Sequence, residues 1–452
     1  MRPIEKSIAM SDLSLSKLAA APPAKVLVGL VVMAIVLATS ARVVLSPLQE
    51  LVRLDLGISD NQIALLQGLA LALPVVLLSF PIGRLVDRAN RCRVVFGFAV
   101  CCALASAVTA FTHSYAVMFA ARMVVGVSWL AIFLSALSLV ADVSDPGSRG
   151  RLVMLLFLGQ VFGRSASFAV VGALVDKLPP VFSHGLGISS LAPWRLVAIV
   201  FAAVIFGGAL LLLFLREPER REVGHASGGN LRAVFSEFWA YRRVLVPLLV
   251  GLATINMADT ASEIWAVPVL TRSYHQTPAD FGGWMGLVAL VAGVGGAVAG
   301  GFLSDFGQRL AGRGGILLGA ILGAVLSIPG AFYPIMPNVH AFAALLTLFL
   351  VSGSCNGAAA VAAATVLIPN EIRGVVSGVF AAISGLVASG LAPLLVSMLA
   401  GAMGLGNDVG IPLTIVGCAT SVIGSVAFIL AMRATRSTTA GASLGTAAAA
   451  PT

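Results

Sequence analysis

Twelve long apolar stretches, separated by short polar or glycine- and proline-marked breaks, set the pattern of this chain. They cover residues 26–50, 61–82, 94–112, 115–141, 152–175, 195–215, 244–266, 281–303, 315–335, 340–367, 374–402 and 409–432. A helix needs roughly 20 apolar residues to cross the hydrocarbon of a bilayer. Backbone groups in lipid must be satisfied within the segment, so runs of this length predict helices. The short alternating segments of a membrane barrel do not occur. The punctuation agrees: Ser59-x-x-Gln62 and Thr277-Pro278-x-Asp280 read as capping boxes that open spans two and eight. The expected fold class is an all-α integral membrane protein with twelve transmembrane helices.

Composition sharpens this picture. Apolar residues make up 59% of the chain and charged residues 10%, with a mean hydropathy of +1.01, where soluble domains carry about 25% charged residues. The first span follows a polar stretch and leads straight into a second, so it reads as an anchor and not a cleaved leader. The net charge of +9 would suit nucleic acid if it were clustered, but its distribution follows topology. With the N-terminus placed inside, 21 Lys and Arg fall in cytoplasmic segments, 4 outside (Arg53, Lys177, Arg195, Arg272) and 3 within spans. That bias predicts both termini in the cytoplasm, with the lipid bilayer as partner and no nucleic acid. The absence of a glycosylation sequon and the short tails point to the plasma membrane, specifically a bacterial inner membrane. Five cysteines (Cys92, Cys101, Cys102, Cys355, Cys418) read as small apolar packers, and the five histidines lie in loops or at span ends. No nucleophile–base set, nucleotide loop or metal-spaced cluster is present, so neither an enzyme, a cofactor nor a metal site is expected.

The chain repeats itself at an offset of 218 residues, the step from Gly83 to Gly301. Gly83, Leu85, Asp87 and Arg91 after span two match Gly301, Leu303, Asp305 and Arg309 after span eight. Ser59 matches Thr277, and Gly68 matches Gly286. Pro146-x-x-Arg149-Gly150 and Pro369-x-x-x-Arg373-Gly374 follow spans four and ten. Two six-span bundles of common origin are expected, residues 25–215 and 244–432. A cytoplasmic tail (1–24), a charged linker (216–243) and a disordered C-terminal tail (433–452) flank them. Within the linker, residues 230–243 read either as a basic amphipathic helix on the membrane surface or as a plain tether.

The loop Gly83-Arg84-Leu85-Val86-Asp87-Arg88-Ala89-Asn90-Arg91-Cys92-Arg93 resembles the signature loop of the major facilitator superfamily, with Asn90 where a second glycine is usual. The departure is expected to loosen the turn. The resemblance covers residues 25–435 and implies alternating access by a monomer. It also implies a cytoplasmic gate. Asp87 would cap the N-terminus of span eleven near Gly374, where unpaired N–H groups and the helix dipole favour an anion. Arg88 and Arg91 would complete the network, Asp305 and Arg309 would act likewise toward span five near Arg151, and Arg149 and Arg373 stand in the matching loops.

Five ionisable residues fall well inside spans: Arg42, Arg122, Arg164, Asp259 and Glu263. A charge at mid-bilayer costs about 2.5–3.5 kcal/mol on insertion scales, so such residues usually face a bundle interior or a watery cavity. Asp259 and Glu263 are four apart, on one helical face. At 1.5 Å per residue Arg42 lies about 24 Å and Asp259 about 22 Å from the inner end of their spans. Arg42–Asp259 and Arg122–Glu263 are therefore candidate pairs, either structural or part of coupling and substrate binding. Trp129, Trp265 and Trp284 are candidates to line the path. Arg42 followed by Leu45-Ser46-Pro47-Leu48, Arg122-Met-Val-Val-Gly126, Pro193-Trp194-Arg195, Leu215-Arg216-Glu217-Pro218 and Ile368-Pro369-Asn-Glu-Ile-Arg373 resemble the spinster-like branch. That branch usually carries acids where this chain has Ala41 and Trp129. The resemblance implies a proton-linked carrier for an amphipathic, anionic lipid or lysolipid. A carrier for small organic anions or amphipathic drugs is the alternative, and a non-transporting receptor is the remote one.

The gate reading makes a prediction. Asp87→Asn should weaken the latch and populate the state open to the cytoplasm, lengthening spin-label distances between the cytoplasmic ends of the halves. An unchanged distance distribution would remove Asp87 from the gate.

Overall fold

The computed structural model describes residues 24–145, 147–179, 191–220, 239, 241–368, 376 and 383–448. Among them every regular element is helical. Among the described residues, eleven helical stretches are long and apolar enough to cross a membrane. One, Pro278–Ile335, has 58 residues, about 87 Å of helix against a hydrocarbon core of about 30 Å. It turns back at Gly312, whose φ of +67° favours glycine. It is therefore two spans, Pro278–Ala311 and a second that runs through Leu318–Gly330. The total is the twelve that the hydropathy pattern predicts.

Span one is broken. Helix Ala24–Val43 gives way at Val44 to helix Leu45–Leu56. Pro47 explains the break, because it lacks an N–H for the carbonyl four residues back. Span two (Asp60–Arg88) opens on the expected box, the Ser59 side chain accepting from the Gln62 N–H while Gln62 accepts from the Ser59 N–H. Span eight opens on its Thr277–Asp280 counterpart. Spans three (Arg91–Phe111), four (Tyr115–Val143), five (Arg149–Leu174) and six (Pro193–Phe214) complete the first half. Spans seven (Arg242–Arg272), ten (Val339–Leu367), eleven (described from residue 383 to Ala402) and twelve complete the second. With twelve spans, the start of span one and the end of span twelve lie on one face, here the basic face; the opposite is the far face.

The 1–24 tail lies outside the described residues except for Ala24, which begins span one, and residues 230–243 lie outside them except for 239 and 241–243. Span twelve runs Gly410–Ala448, continuing helically where the sequence leads one to expect a disordered tail from 433. The segment is alanine-rich and extends an existing helix, so it needs no new nucleus.

The halves meet along two seams. Apolar surface gains little by leaving lipid for protein, so helices associate where small residues admit close packing. On the first seam, span five meets span eight. A Cβ on Gly282 would stand 2.6 Å from the Phe168 carbonyl oxygen, and one on Gly286 2.8 Å from that of Ser165. On the second seam, a Cβ on Gly68 of span two would collide with the Ser389 carbonyl oxygen of span eleven. Gly68 and Gly286 are repeat-related, so the same glycine opens both seams. Both helices of the second seam carry a π-turn there, Leu65–Leu69 and Ser384–Leu391. Toward the far face the two cores fuse: Val43, Ala64 and Phe168 of the first half pack into one cluster with Trp265, Phe281 and Val396 of the second.

Gly282→Leu places a side chain against backbone that cannot rotate away, and should wedge the far ends of spans five and eight apart. Label pairs across those ends should separate relative to wild type; an unchanged separation would show that the seam yields elsewhere.

Candidate functional site

Span one's break creates the site's floor. The Arg122 guanidinium, on span four, donates to the carbonyl oxygens of Ala41 and Arg42 at 2.9 and 2.5 Å. A helix end leaves carbonyls without intrahelical donors and carries the negative end of the dipole, and a forked cation satisfies both. Arg122 is 2% exposed. It is a clamp on the break, not the partner of Glu263.

Arg42 itself turns the other way. Its guanidinium lies over the Trp129 ring, 4.9 Å from the centroid, with no carboxylate in hydrogen-bond contact among the described residues. Trp129 is fixed by its indole N–H, which donates to Thr39 Oγ1 at 3.2 Å, and by stacking on Phe133 at 5.5 Å. Across the gap, Arg164 of span five forms an ion pair with Glu263 of span seven at 3.5 Å, with side chains 47% and 23% exposed. Arg42 lies within electrostatic reach of Glu263 and Arg164, and Asp259 within reach of Arg164 and Glu263. The Asp259 carboxylate rests on Gly353 of span ten, where a Cβ would overlap it. The structure thus brings Arg42, Arg164, Asp259 and Glu263 into one mid-membrane cluster between the halves. Neither expected pair forms; Arg164–Glu263 forms instead. Trp265 is fully buried and donates to the Pro393 carbonyl at 2.9 Å, so it is a packing residue. Trp284 packs edge-on against Phe342 at 6.5 Å.

Above the cluster, the far face is closed by a network that sequence reasoning missed. Arg272, at the end of span seven, donates to Glu50 at 2.9 Å and to both oxygens of Asp60 at 2.7 and 2.8 Å, and reaches the Asn407 carbonyl at 3.1 Å. Arg53 completes it, 2.6 Å from Glu50 and 3.8 Å from Asp60. Two cations and two anions balance. One layer deeper, Gln49 donates to the Ile264 carbonyl at 2.7 Å. Pro268, four residues on, has no N–H to offer that oxygen. Gln67 donates to Gln49 and accepts from Ser46 at 2.9 Å. Pro268 was the available sequence signal for the orphaned carbonyl; the arginines were read only as loop charges.

On the basic face the described gate residues do not bridge the halves. Arg91, 2% exposed, is bound to Asp142 of span four and, at 2.7 Å, to Glu217 beyond span six. Glu217 also accepts from the Cys92 N–H at 3.1 Å, while Arg220 donates to the carbonyls of Val86, Asp87 and Ala89. An acid caps the start of span three and a base caps the end of span two, each at the dipole end that suits it. Asn90, expected to loosen the turn, instead caps span three, its Oδ1 accepting from the Arg93 N–H at 2.9 Å. Asp87, Arg88, Asp305 and Arg309 are exposed, with no ion pair among the described residues. Gly83 has open space around it, and Arg149 turns back onto Ser144 and the Ala141 carbonyl. Arg373 and Gly374, the expected partners, lie outside the described residues. Arg195 ties span six to spans one and three, donating to Asp55 at 2.8 Å and to the Ala110 and Thr112 carbonyls.

A helical bundle of two repeats, fused at one face around a mid-membrane charge cluster, is the architecture of a membrane carrier. The chain belongs to the Major Facilitator Superfamily, whose profile matches residues 30–393. Among solved structures it resembles a bacterial homologue of the human lysosomal transporter Spinster. The inward-facing, unoccupied form matches at a TM-score of 0.77 and 20% identity, covering 92% of this chain and 98% of that one. The occupied form matches at 0.76 and 21%, with the same coverage. A mutant of the nucleoside transporter NupG matches at 0.65 and 13%, covering 89% and 98%. No curated protein matches. The chain is a multi-pass membrane transporter of small substrates, not an enzyme.

Two predictions follow from the geometry. Arg272→Gln strips Glu50 and Asp60 of their shared cation. Charge-assisted bonds are worth about 1.5–3 kcal/mol when buried; these acids are partly wetted, so a shift of on the order of tenfold toward far-face opening is expected, about 1.4 kcal/mol. Dipolar distances between far-face labels measure it. Separately, Arg122→Lys cannot fork to two carbonyls and leaves one buried acceptor short, a loss of about 1–3 kcal/mol, so Tm should fall by a few degrees. Arg42→Lys keeps its charge over Trp129 and should leave Tm within a degree; equal falls would refute the division of roles.

Proposed function

We propose that the chain is a proton-linked carrier for an amphipathic anion, a lysolipid or related lipid. The basic face is cytoplasmic, the membrane is a bacterial inner membrane and the working unit is a monomer. The observation that carries the reading is the charge around the cluster: Arg42 and Arg164 balance Asp259 and Glu263, and the clamp Arg122, within electrostatic reach of Arg42, adds one cation that no carboxylate of the cluster offsets. An anionic head group is favoured there and a cation is not. Arg42 supplies the receptor charge, since an indole face and not a carboxylate lies against it. The aromatic surface of Trp129 and Phe133 beside it suits an apolar moiety. The motifs that resemble the spinster-like branch support a lipid over a short organic anion.

Coupling is assigned to span seven. The acids usual in spans one and four are replaced by Ala41 and Trp129, and Glu263 and Asp259 are the carboxylates of the cluster. A carboxylate facing Arg164 stays ionised, and one deprived of that partner in a dry site takes up a proton. Rocking the halves would break the cross-half Arg164–Glu263 pair and move the proton with it. On this reading, closure of the far face leaves the cytoplasmic side as the route by which substrate reaches the site.

The test is uptake of a labelled lysolipid into proteoliposomes, with and without a pH gradient. Arg42→Ala should abolish flux in a protein that still inserts and folds. Glu263→Gln should keep exchange but flatten its pH dependence, and Asp259→Asn should do so more weakly. If both single mutants and the double mutant keep the wild-type pH profile, the protein is a facilitator. Flux of a short organic anion without lysolipid flux would assign the alternative substrate class.

A further inference from the structure

A groove of about 460 Å³ lies on the bilayer-facing side of the first half, outside the charge cluster. That volume falls within the range of about 300–1,000 Å³ found for ligand-holding clefts. Asn90, Arg93, Val94, Gly97, Phe98 and Cys101 of span three form one wall. Their spacing, i, i+3, i+4, i+7, i+8 and i+11, is one continuous helical stripe. Leu85 and Ala89 at the end of span two form the other. The stripe is ordered. Its polar end, Asn90 and Arg93, lies at the basic face, and its apolar end reaches Cys101, about 12 Å deeper at 1.5 Å per residue. One leaflet of hydrocarbon is about 15 Å thick. The trough deepens at Gly97, where an added Cβ would meet nothing within 4 Å.

The charge at the mouth is unspent. Neighbouring Arg91 and Arg220 are already engaged by Asp142, Glu217 and backbone carbonyls. Arg93 is exposed, and its guanidinium has no ion-pair partner among the described residues. Arg88 is exposed beside it, and Arg84 lies over Phe80 at 5.6 Å. Against these three cations the same loop carries one carboxylate, Asp87. The N–H groups opening span three are already taken by Glu217 and Asn90, so the guanidinium and not the helix end is the available anion receptor. Basic residues at this depth attract acidic lipid head groups.

We infer that this groove holds one anionic phospholipid of the leaflet on the basic face, its phosphate against Arg93 and one acyl chain in the trough past Gly97. The head–tail order of the stripe, its one-leaflet length and a cation with no ion-pair partner among the described residues match that occupant together. The inference stands independently of what the carrier moves. The lipid sits directly beneath the loop bearing Asp87 and Arg88, so its presence bears on the same loop that the family resemblance makes a gate.

The test is native mass spectrometry of the full-length protein in mixed micelles containing equal phosphatidylglycerol and phosphatidylcholine. Wild type should retain phosphatidylglycerol several-fold over phosphatidylcholine. Arg93→Gln should bring the two to parity. Gly97→Leu fills the trough without a clash and should cut retention of both while thermal unfolding stays as in wild type. Equal retention of the two lipids by wild type, or an undiminished phosphatidylglycerol signal in Gly97→Leu, would overturn the site. Loss of the preference on adding inorganic phosphate in place of lipid would make it a phosphate site and overturn the lipid reading.

Discussion

Two helix backbones can touch only where no side chain stands between them, and the halves of this transporter are joined at such places. Gly282 and Gly286 lie against span five, and Gly68 lies against span eleven, each facing a carbonyl oxygen of the other half. A dry contact between backbones has no long side chains to interdigitate, so it can pivot without unthreading. The rest of the molecule is arranged around these pivots. The fused core and the Arg272 network lie on their far-face side, and the charge cluster lies at their level. The described hydrogen bonds and ion pairs between halves, from Gln49–Ile264 to Arg164–Glu263, run from there toward the far face.

The charges divide by how they are held. Arg122 and Arg91 are buried and tied within the first half, one to the broken end of span one and the other to Asp142 and Glu217. Removing either would leave buried partners stranded. Arg164 and Arg272 bridge the halves and can be released when the halves part. Arg42 stands apart with an aromatic face as its support. Rigid, switching and receptive roles therefore fall to different arginines that look alike in sequence.

The twelve spans, the repeat and both capping boxes were legible because each rests on local signals: apolar runs, registered spacing, and a hydroxyl three residues from its reciprocal partner. The glycine match at positions 68 and 286 was visible as a repeat but not as a seam, since contact across halves has no sequence spacing. The partners of buried cations were the weakest part. Depth arithmetic placed Arg42 level with Asp259, yet azimuth decides contact, and spacing along one span does not give its azimuth relative to another. Arg122 found backbone oxygens, which no side-chain pattern records. Arg53 and Arg272 read in the sequence only as charges outside the spans, because ion pairing near helix ends depends on the fold.

The Trp129 support under Arg42 has an electrical consequence. A carboxylate partner can be silenced by one proton, whereas an indole face offers no such switch, so this guanidinium keeps its charge throughout the cycle. On the proposed reading the occupied cluster is neutral and the vacant one carries one positive charge. A full charge crossing 100 mV corresponds to about 2.3 kcal/mol, and a mid-membrane site crosses part of that field each time the halves rock. Membrane voltage would then act mainly on the return of the empty carrier, setting the face at which the vacant site waits.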